Sequence, residues 1–235
     1  MDRLFSPNKT FKTNYTPRKL HDLRKQFAKY IQLKAKVINE KIGFVSIEEV
    51  NHFVNPSLLN IASEITIGLF LKNLKKKNIP TAVIGIPNRG KEFATVLGIK
   101  TQLKIGITDR EETKNHHFSV VYEKDNDLIF IKGIPSFTQP GKYFTHKIRG
   151  IKPRSTILVA DDFSATGAVT DYYKKALKQL NIRPIFVYLV AKDFSNLDTP
   201  QIGYRRHKNE KDLLFSVVRL TKIKKDKIEV EEKDS

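Results

Sequence analysis

The chain has 235 residues, 40% of them hydrophobic and 29% charged, with a formal net charge of +18 and no cysteine. The length suits one domain of ordinary core size with an extension. The composition excludes disulfides, thiolate catalysis and cysteine zinc sites, and no apolar run approaches the ~18 residues of a membrane helix.

Residues 1–16 are polar and basic and are expected to form a flexible arm. They hold no apolar signal core, so secretion is not expected and a cytoplasmic location is. From Pro17 to about Lys41, Leu20, Leu23, Phe27, Ile31 and Leu33 recur with helical spacing between Lys and Arg, and Pro17 suits a first turn. A connector follows. Asn55-Pro56 then opens a second helix through about Lys76, with Leu58, Leu59, Ile65, Leu69 and Leu71 on its buried face. Residues 81–86, "TAVIGI", read as a buried strand, 87–90 as a loop, 91–99 as a helix and 102–108 as a second strand. Residues 109–154 form a long insert with hairpin-like runs at 117–123 and 127–133. Residues 156–160, "TILVA", are a third core strand, 166–180 a helix with Val169, Tyr172, Ala176 and Leu180 on one face, and 183–191 a fourth strand. "LLFSVVRL" and "KIEVEE" close the chain as two strands or one hairpin. Strand and helix in alternation predict an α/β fold, a mostly parallel twisted sheet flanked by helices.

In such sheets ligands sit at the carboxyl ends of the strands. There the third strand runs into Asp161 and Asp162 and then a loop of small and hydroxyl residues, Ser164-Ala165-Thr166-Gly167-Ala168, before Val169 and Thr170. Paired carboxylates need hydroxyl, cation or metal partners, because isolated burial is costly. A ribose diol supplies such hydroxyls. The loop opens a helix, whose unpaired N–H groups and partial positive charge suit a phosphate. The pair and the loop together therefore suit one ligand with a diol at one end and a 5′-phosphate at the other.

The run "ILVADDFSATGAVT" resembles the phosphoribosyl pyrophosphate (PRPP) signature of the type I phosphoribosyltransferases. "IGIPNRGKEF" is similar to the pyrophosphate loop of the adenine enzymes, and "VYLVAKDF" to a strand of the xanthine enzymes that ends in Lys-x-Phe. The resemblance implies the type I fold, with a core of about residues 56–195 and a small hood from about 17–55 and 196–235, all in one domain over 17–235. It implies a purine phosphoribosyltransferase that transfers the 5-phosphoribosyl group of PRPP to a free base, with Mg2+ accompanying PRPP near Asp161 and Asp162 rather than held by its own ligand set. The expected PRPP contacts are Asn88, Arg89, Gly90, Asp161, Asp162, Ser164, Ala165, Thr166, Gly167, Ala168, Val169 and Thr170, with Asp161, Asp162 and Arg89 as the catalytic group. Ala165 stands where many hypoxanthine-guanine enzymes carry an Asp, so no side-chain base is expected. Lys192, with Phe163 or Phe194 stacked on the base, implies a 6-oxopurine such as xanthine, guanine or hypoxanthine rather than adenine. Asn55 could also frame the base, and Arg110 stands in for the basic residues that related enzymes carry after the second strand. The mobile catalytic loop is expected within about 109–146.

A homodimer is expected from the family. The alternative is a PRPP-sensing, nucleic-acid-binding regulator without turnover, similar to the purine-operon repressors. The +18 charge favours this alternative, whereas the roughly 50 residues ahead of "VNPSLL" are too few for a winged helix. No membrane partner is expected. The six histidines read as surface or loop residues, with no metal spacing among them.

Overall fold

The computed structural model describes residues 11–51, 55–87, 89–136, 139–197, 200–210, 213–224 and 227–232. Most of the expected N-terminal arm, together with Asn88 and His52, lies outside them. In chain order the elements are α1 (Pro17–Lys34), β1 (Lys36–Asn39), β2 (Phe44–Ser46), α2 (Glu48–Asn51), α3 (Pro56–Ile65), β3 (Ala82–Gly85), α4 (Gly90–Thr101), β4 (Lys104–Ile105), β5 (Ile107–Thr113), β6 (Ser119–Glu123), β7 (Leu128–Pro135), β8 (Tyr143–Arg149), β9 (Thr156–Ser164), α5 (Ala168–Gln179), β10 (Arg183–Lys192), α6 (Gly203–Asn209), β11 (Leu214–Lys224) and β12 (Lys227–Glu231).

The central sheet has six strands in the order β12-β11-β10-β9-β3-β4. All neighbours are parallel except β11 and β12. Strand periodicity sorts the core. Val83, Leu158, Ala160, Ile185 and Val187 face one side with α1, α3 and α4, whereas Ala82, Ile84, Ile157, Val159 and Phe186 face the other with α5. Buried on both faces, these strands read as continuous apolar runs.

Helix α1 is shorter than its periodicity predicts. It ends at Lys34 because Ala35 turns extended, and Val37 and Ile38 enter the β1–β2 hairpin, which bends at Gly43 with φ +62°. Leu33, expected inside, is exposed. The second helix runs as α3 to Ile65 and continues through a π turn at Thr66–Phe70 and a 3-10 turn at Leu71–Asn73. Asn55 caps it, its side-chain oxygen accepting from Leu58 N at 3.1 Å, so it holds the helix rather than a base.

The expected strand 102–108 splits at Gly106 between two sheets. Its first half, β4, stays on the parallel sheet, and the second half starts β5. The insert is more than hairpins: β5, β8, β7 and β6 form a four-stranded antiparallel sheet. Its Ile129, Ile131 and Ile148 pack under the parallel sheet beside α5. Thr108 Oγ1 donates to Gly85 O at 2.6 Å, which ties this sheet to the end of β3. In α5 Thr170, Tyr173, Ala176 and Leu177 are buried, and the expected Val169, Tyr172 and Leu180 pack half-buried against the same core. The two closing strands pair antiparallel as expected, with Lys224 opposite Lys227, and β11 also pairs parallel to β10. Arg24 of α1, itself buried, donates from Nε to Val217 O at 2.7 Å and from Nη2 to Ser216 O at 3.0 Å, which joins the N-terminal helix to β11. Among the described residues no helix is long and apolar enough to cross a membrane.

Candidate active site

Strand β9 does not stop before the acidic pair. It runs on to Ser164, and Asp161 pairs in register with Tyr188, Phe163 with Val190 and Ser164 with Ala191. Each carboxylate accepts from the next backbone N–H, Asp161 from Asp162 N at 2.9 Å and Asp162 from Phe163 N at 2.8 Å. Both side chains are half-buried. Burial pushes the Asp161 carboxyl well above the ordinary carboxylate range, and the neighbouring Asp162 charge adds to it. Burial also raises Asp162, and the positive charge of Arg89 pulls both back. The site therefore holds two crowded, poorly solvated carboxylates beside one guanidinium.

Arg89 is there because the turn after β3 folds tightly onto β9. Ile86 N donates to Ala160 O at 2.8 Å, and Gly90 N donates to Ile86 O at 3.0 Å. A Cβ on Gly90 would sit 2.2 Å from Ala160 O, so only glycine lets the start of α4 come this close to the strand. Arg89 stands exposed at the N-terminus of α4.

On the other side, Gly167 takes φ +81° and starts α5. Ser164 is buried near the Tyr188 hydroxyl, and among the described residues its own hydroxyl finds no partner of full hydrogen-bond geometry. Thr166 Oγ1 accepts from Ala168 N at 3.4 Å. The Thr170 hydroxyl lies 2.6 Å from the Tyr188 hydroxyl, inside the core. Helix α6 buttresses the outer side of this turn: Gly203 N donates to Ala165 O at 2.9 Å, Arg206 Nη2 to Thr166 O at 3.5 Å, and His207 Nε2 lies 3.4 Å from Gly167 O. A Cβ on Gly203 would meet Gly167 N at 2.2 Å.

At the end of β10, Lys192 is buried with its ammonium 5.1 Å from the Phe163 ring centroid and 6.0 Å from that of Phe44. It donates to Gly43 O at 3.3 Å. Burial brings its pKa down to about 8 against the opposing pull of Asp162. Phe194 is fully buried beneath the hairpin loop, where a Cβ on Gly43 would lie 3.0 Å from its ring. That leaves Phe163 and Phe44 as the rings facing the lysine. Asp193 turns away into an ion pair with Arg205 at 2.7 Å. Arg110, on β5, lies over the Phe144 ring at 4.6 Å.

No family model matches the sequence, and no curated protein matches it either. Solved structures do. Adenine phosphoribosyltransferase from Rhodothermus marinus superposes with a TM-score of 0.55 at 17% identity, over 83% of this chain and 99% of that one. The Trypanosoma brucei enzyme, in complex with AMP, pyrophosphate and ribose-5-phosphate, gives 0.56 at 14%, over 84% and 79%. The Giardia lamblia enzyme with 9-deazaadenine gives 0.55 at 17%, over 82% and 97%. The chain has the type I phosphoribosyltransferase fold.

On this phosphoribosyltransferase fold, Arg89, Gly90, the acidic pair and residues 164–170 converge at the carboxyl ends of β3 and β9, and Phe163 and Lys192 join them at the end of β10. Phe44 and Gly43 had no sequence signal, because they reach the site only through the β1–β2 hairpin. Helix α6 was equally silent: "GYRRHKN" is short and lacks an apolar stripe. Two histidines expected at the surface are buried. His207 lies under the Gly167 turn, and His146 Nδ1 lies 2.9 Å from the Tyr173 hydroxyl, with burial taking its pKa down to about 4. Among the described residues no three or more His, Asp or Glu gather as a metal site.

Proposed function

We propose that the protein is a purine phosphoribosyltransferase, which makes a nucleoside 5′-monophosphate and pyrophosphate from PRPP and a free base. The observation that carries this reading is the acidic pair of β9, flanked by the Arg89-Gly90 turn and the Gly167 turn. Asp161 and Asp162 accept from the ribose hydroxyls, an interaction that relieves their mutual crowding. The backbone N–H groups around Gly167 and the orphan Ser164 hydroxyl take the 5′-phosphate at the start of α5. Arg89 offers its planar fork to the diphosphate.

In the reaction the bond from the anomeric carbon to the diphosphate oxygen breaks, and the diphosphate leaves with the electron pair. A ring nitrogen of the base forms the new bond and releases its proton. Ala165 cannot accept that proton, so the rate rests on positioning and on charges fixed around the developing oxocarbenium ion. Hard carboxylate oxygens at the diol suit a divalent cation, and Mg2+ arriving with PRPP would neutralise the leaving group.

For the base, Lys192 presents a donor between two aromatic rings. A cationic donor favours a 6-oxo group over an amino group, so xanthine, guanine or hypoxanthine is preferred to adenine, although the structural relatives named above are adenine enzymes. A homodimer in the cytoplasm is the expected state, to be read by light scattering and fractionation.

The test gives purified protein PRPP, Mg2+ and each purine in turn and follows monophosphate formation by chromatography. Product with a 6-oxopurine is expected. No product with any base rejects the enzyme reading. Uptake of PRPP by calorimetry without turnover favours a PRPP-responsive regulator instead.

A further inference from the structure

A groove of about 890 Å³ lies along the outer face of α5, lined by Lys77, Lys174, Lys175, Lys178 and Arg183, with Asn78 and Asn181 among them. Its floor is apolar and closed: Ile182 and Phe186 are buried. Its one carboxylate, Asp171, is already paired with Arg206. Lys174 is paired with Glu210 at 2.9 Å, Lys175 stacks over the Phe118 ring at 4.4 Å, and Arg183 donates to Asn78 Oδ1 at 2.9 Å. Lys77 and Lys178 are exposed and make no ion pair among the described residues. The groove sits at the amino end of β10, whereas the acidic pair and Lys192 sit at the carboxyl end. Five residues of strand separate Arg183 from Tyr188, which pairs with Asp161, or about 17 Å. Asp171 at one end of the groove borders the Gly167 turn, but the end lined by Lys77, Lys178 and Arg183 lies apart from the acidic pair.

We infer that this groove binds the phosphodiester backbone of a nucleic acid. The cations line an open groove, so a linear polyanion can contact several of them at once. Against a membrane, none of the exposed large apolar side chains among the described residues lines the groove. The buried Phe186 is not available for stacking, so recognition is by phosphate and without base preference. Lys174 and Lys178 stand one helical turn apart, about 5–6 Å between Cβ atoms, and can serve successive phosphates of a single strand.

The test titrates the full chain into a fluorescein-labelled 20-nucleotide RNA of mixed sequence and follows anisotropy from 50 to 200 mM salt. Three to five neutralised phosphates give a log–log salt slope of about −2 to −3.5 on a single strand, or a loss of about 15- to 130-fold over that range. Lys77→Ala/Lys178→Ala should flatten the slope by about 1.4 and weaken binding about 25-fold at 0.1 M salt. Lys77→Arg/Lys178→Arg should retain binding, which separates lost charge from lost fold. The control pair Lys25→Ala/Lys29→Ala removes the same charge from the exposed face of α1 and should change affinity far less. Equal losses in the groove and control pairs, or no RNA binding at 50 mM salt, would overturn the inference. So would groove-dependent binding of inorganic polyphosphate or anionic vesicles without binding of RNA. The groove variants leave the PRPP site untouched, so transferase turnover reads that proposal separately.

Discussion

Replacing Lys192 with methionine keeps an unbranched side chain and removes a charge that the fold holds at a disadvantage. The ammonium pKa falls from 10.5 to about 8, chiefly through burial. At about 1.4 kcal/mol per pH unit, carrying the proton in the folded state at neutral pH costs about 3 kcal/mol. The side chain is 7% exposed, so solvent screening gives little relief. Methionine also gives up the bond to Gly43 O, about 1 kcal/mol, and the cation over Phe163, about 0.5–1 kcal/mol. The net expectation for Lys192→Met is a gain of about 1–2 kcal/mol at pH 7, which raises the melting temperature by about 2–8 °C for a chain of this size. Below pH 8 folded and unfolded chains both carry the proton, and the penalty is whole. Between about 8 and 10.5 the folded chain releases it first, the unfolded chain binds more protons, and the wild-type protein gains stability as pH rises. The advantage of the variant should therefore shrink across that window in thermal melts at pH 7, 9 and 10.5. A variant that melts below the wild type at pH 7, or whose gain does not change with pH, would refute the reasoning. If Lys192 reads a 6-oxo group, kcat/KM for that base should also fall in the wild type above about pH 8.

Asp161→Asn should lower PRPP affinity about 10- to 100-fold by calorimetry, since a hydrogen bond to a charged group contributes about 1.5–3 kcal/mol. The same variant should melt higher than the wild type at pH 7. The raised Asp161 pKa means the folded chain keeps a proton that the unfolded chain has lost, so wild-type stability falls as pH climbs above 3.8. Gly203→Ala drives a methyl to 2.2 Å from Gly167 N and should cost about 1–3 kcal/mol, read as a lower melting temperature and a raised KM for PRPP. Tyr188→Phe strands the buried Thr170 hydroxyl and should destabilise by about 1–3 kcal/mol in urea unfolding, with Tyr188→Trp no remedy. His146 stays neutral when folded down to about pH 4, so stability should fall as pH drops from 6.5 toward 4, and His146→Gln should blunt that loss in acid melts.

The strands of the parallel sheet were legible because residues buried on both faces must all be apolar, as "TAVIGI" and "TILVA" are. The phosphate turn was legible because its needs are local: Gly167 at positive φ, small neighbours, and carboxylates just ahead. What sequence could not supply was anything set by distant partners. Asp161 to Ser164 look like a loop, yet they continue β9 because β10 supplies a ladder through Ala191. Strands β5 and β8 carry charges such as Glu111 and Lys147 in place of apolar residues, which hid their pairing; these two meet diagonally across the strand pair at 2.6 Å. The stripe of α5 was legible too, since Val169, Tyr172, Ala176 and Leu180 all pack on the core, but nothing marked Tyr173, which meets His146 of the second sheet. Phe44 and Gly43 meet Lys192 across about 150 residues of chain, and no spacing announces such a meeting.

The clasp of Arg24 on Val217 and Ser216 spans a sequence separation of 193 residues, and it bears on how the molecule is made. A nascent chain emerging from the ribosome can close its central strands early, but the first helix must wait for β11 before its buried guanidinium finds carbonyls. The β1–β2 loop likewise waits for Gln201, which donates to Ile42 O. Until then Lys192 has no ceiling, so a half-synthesised chain holds no finished pocket. Separately expressed halves split in the 150–155 connector would each lack what completes the other.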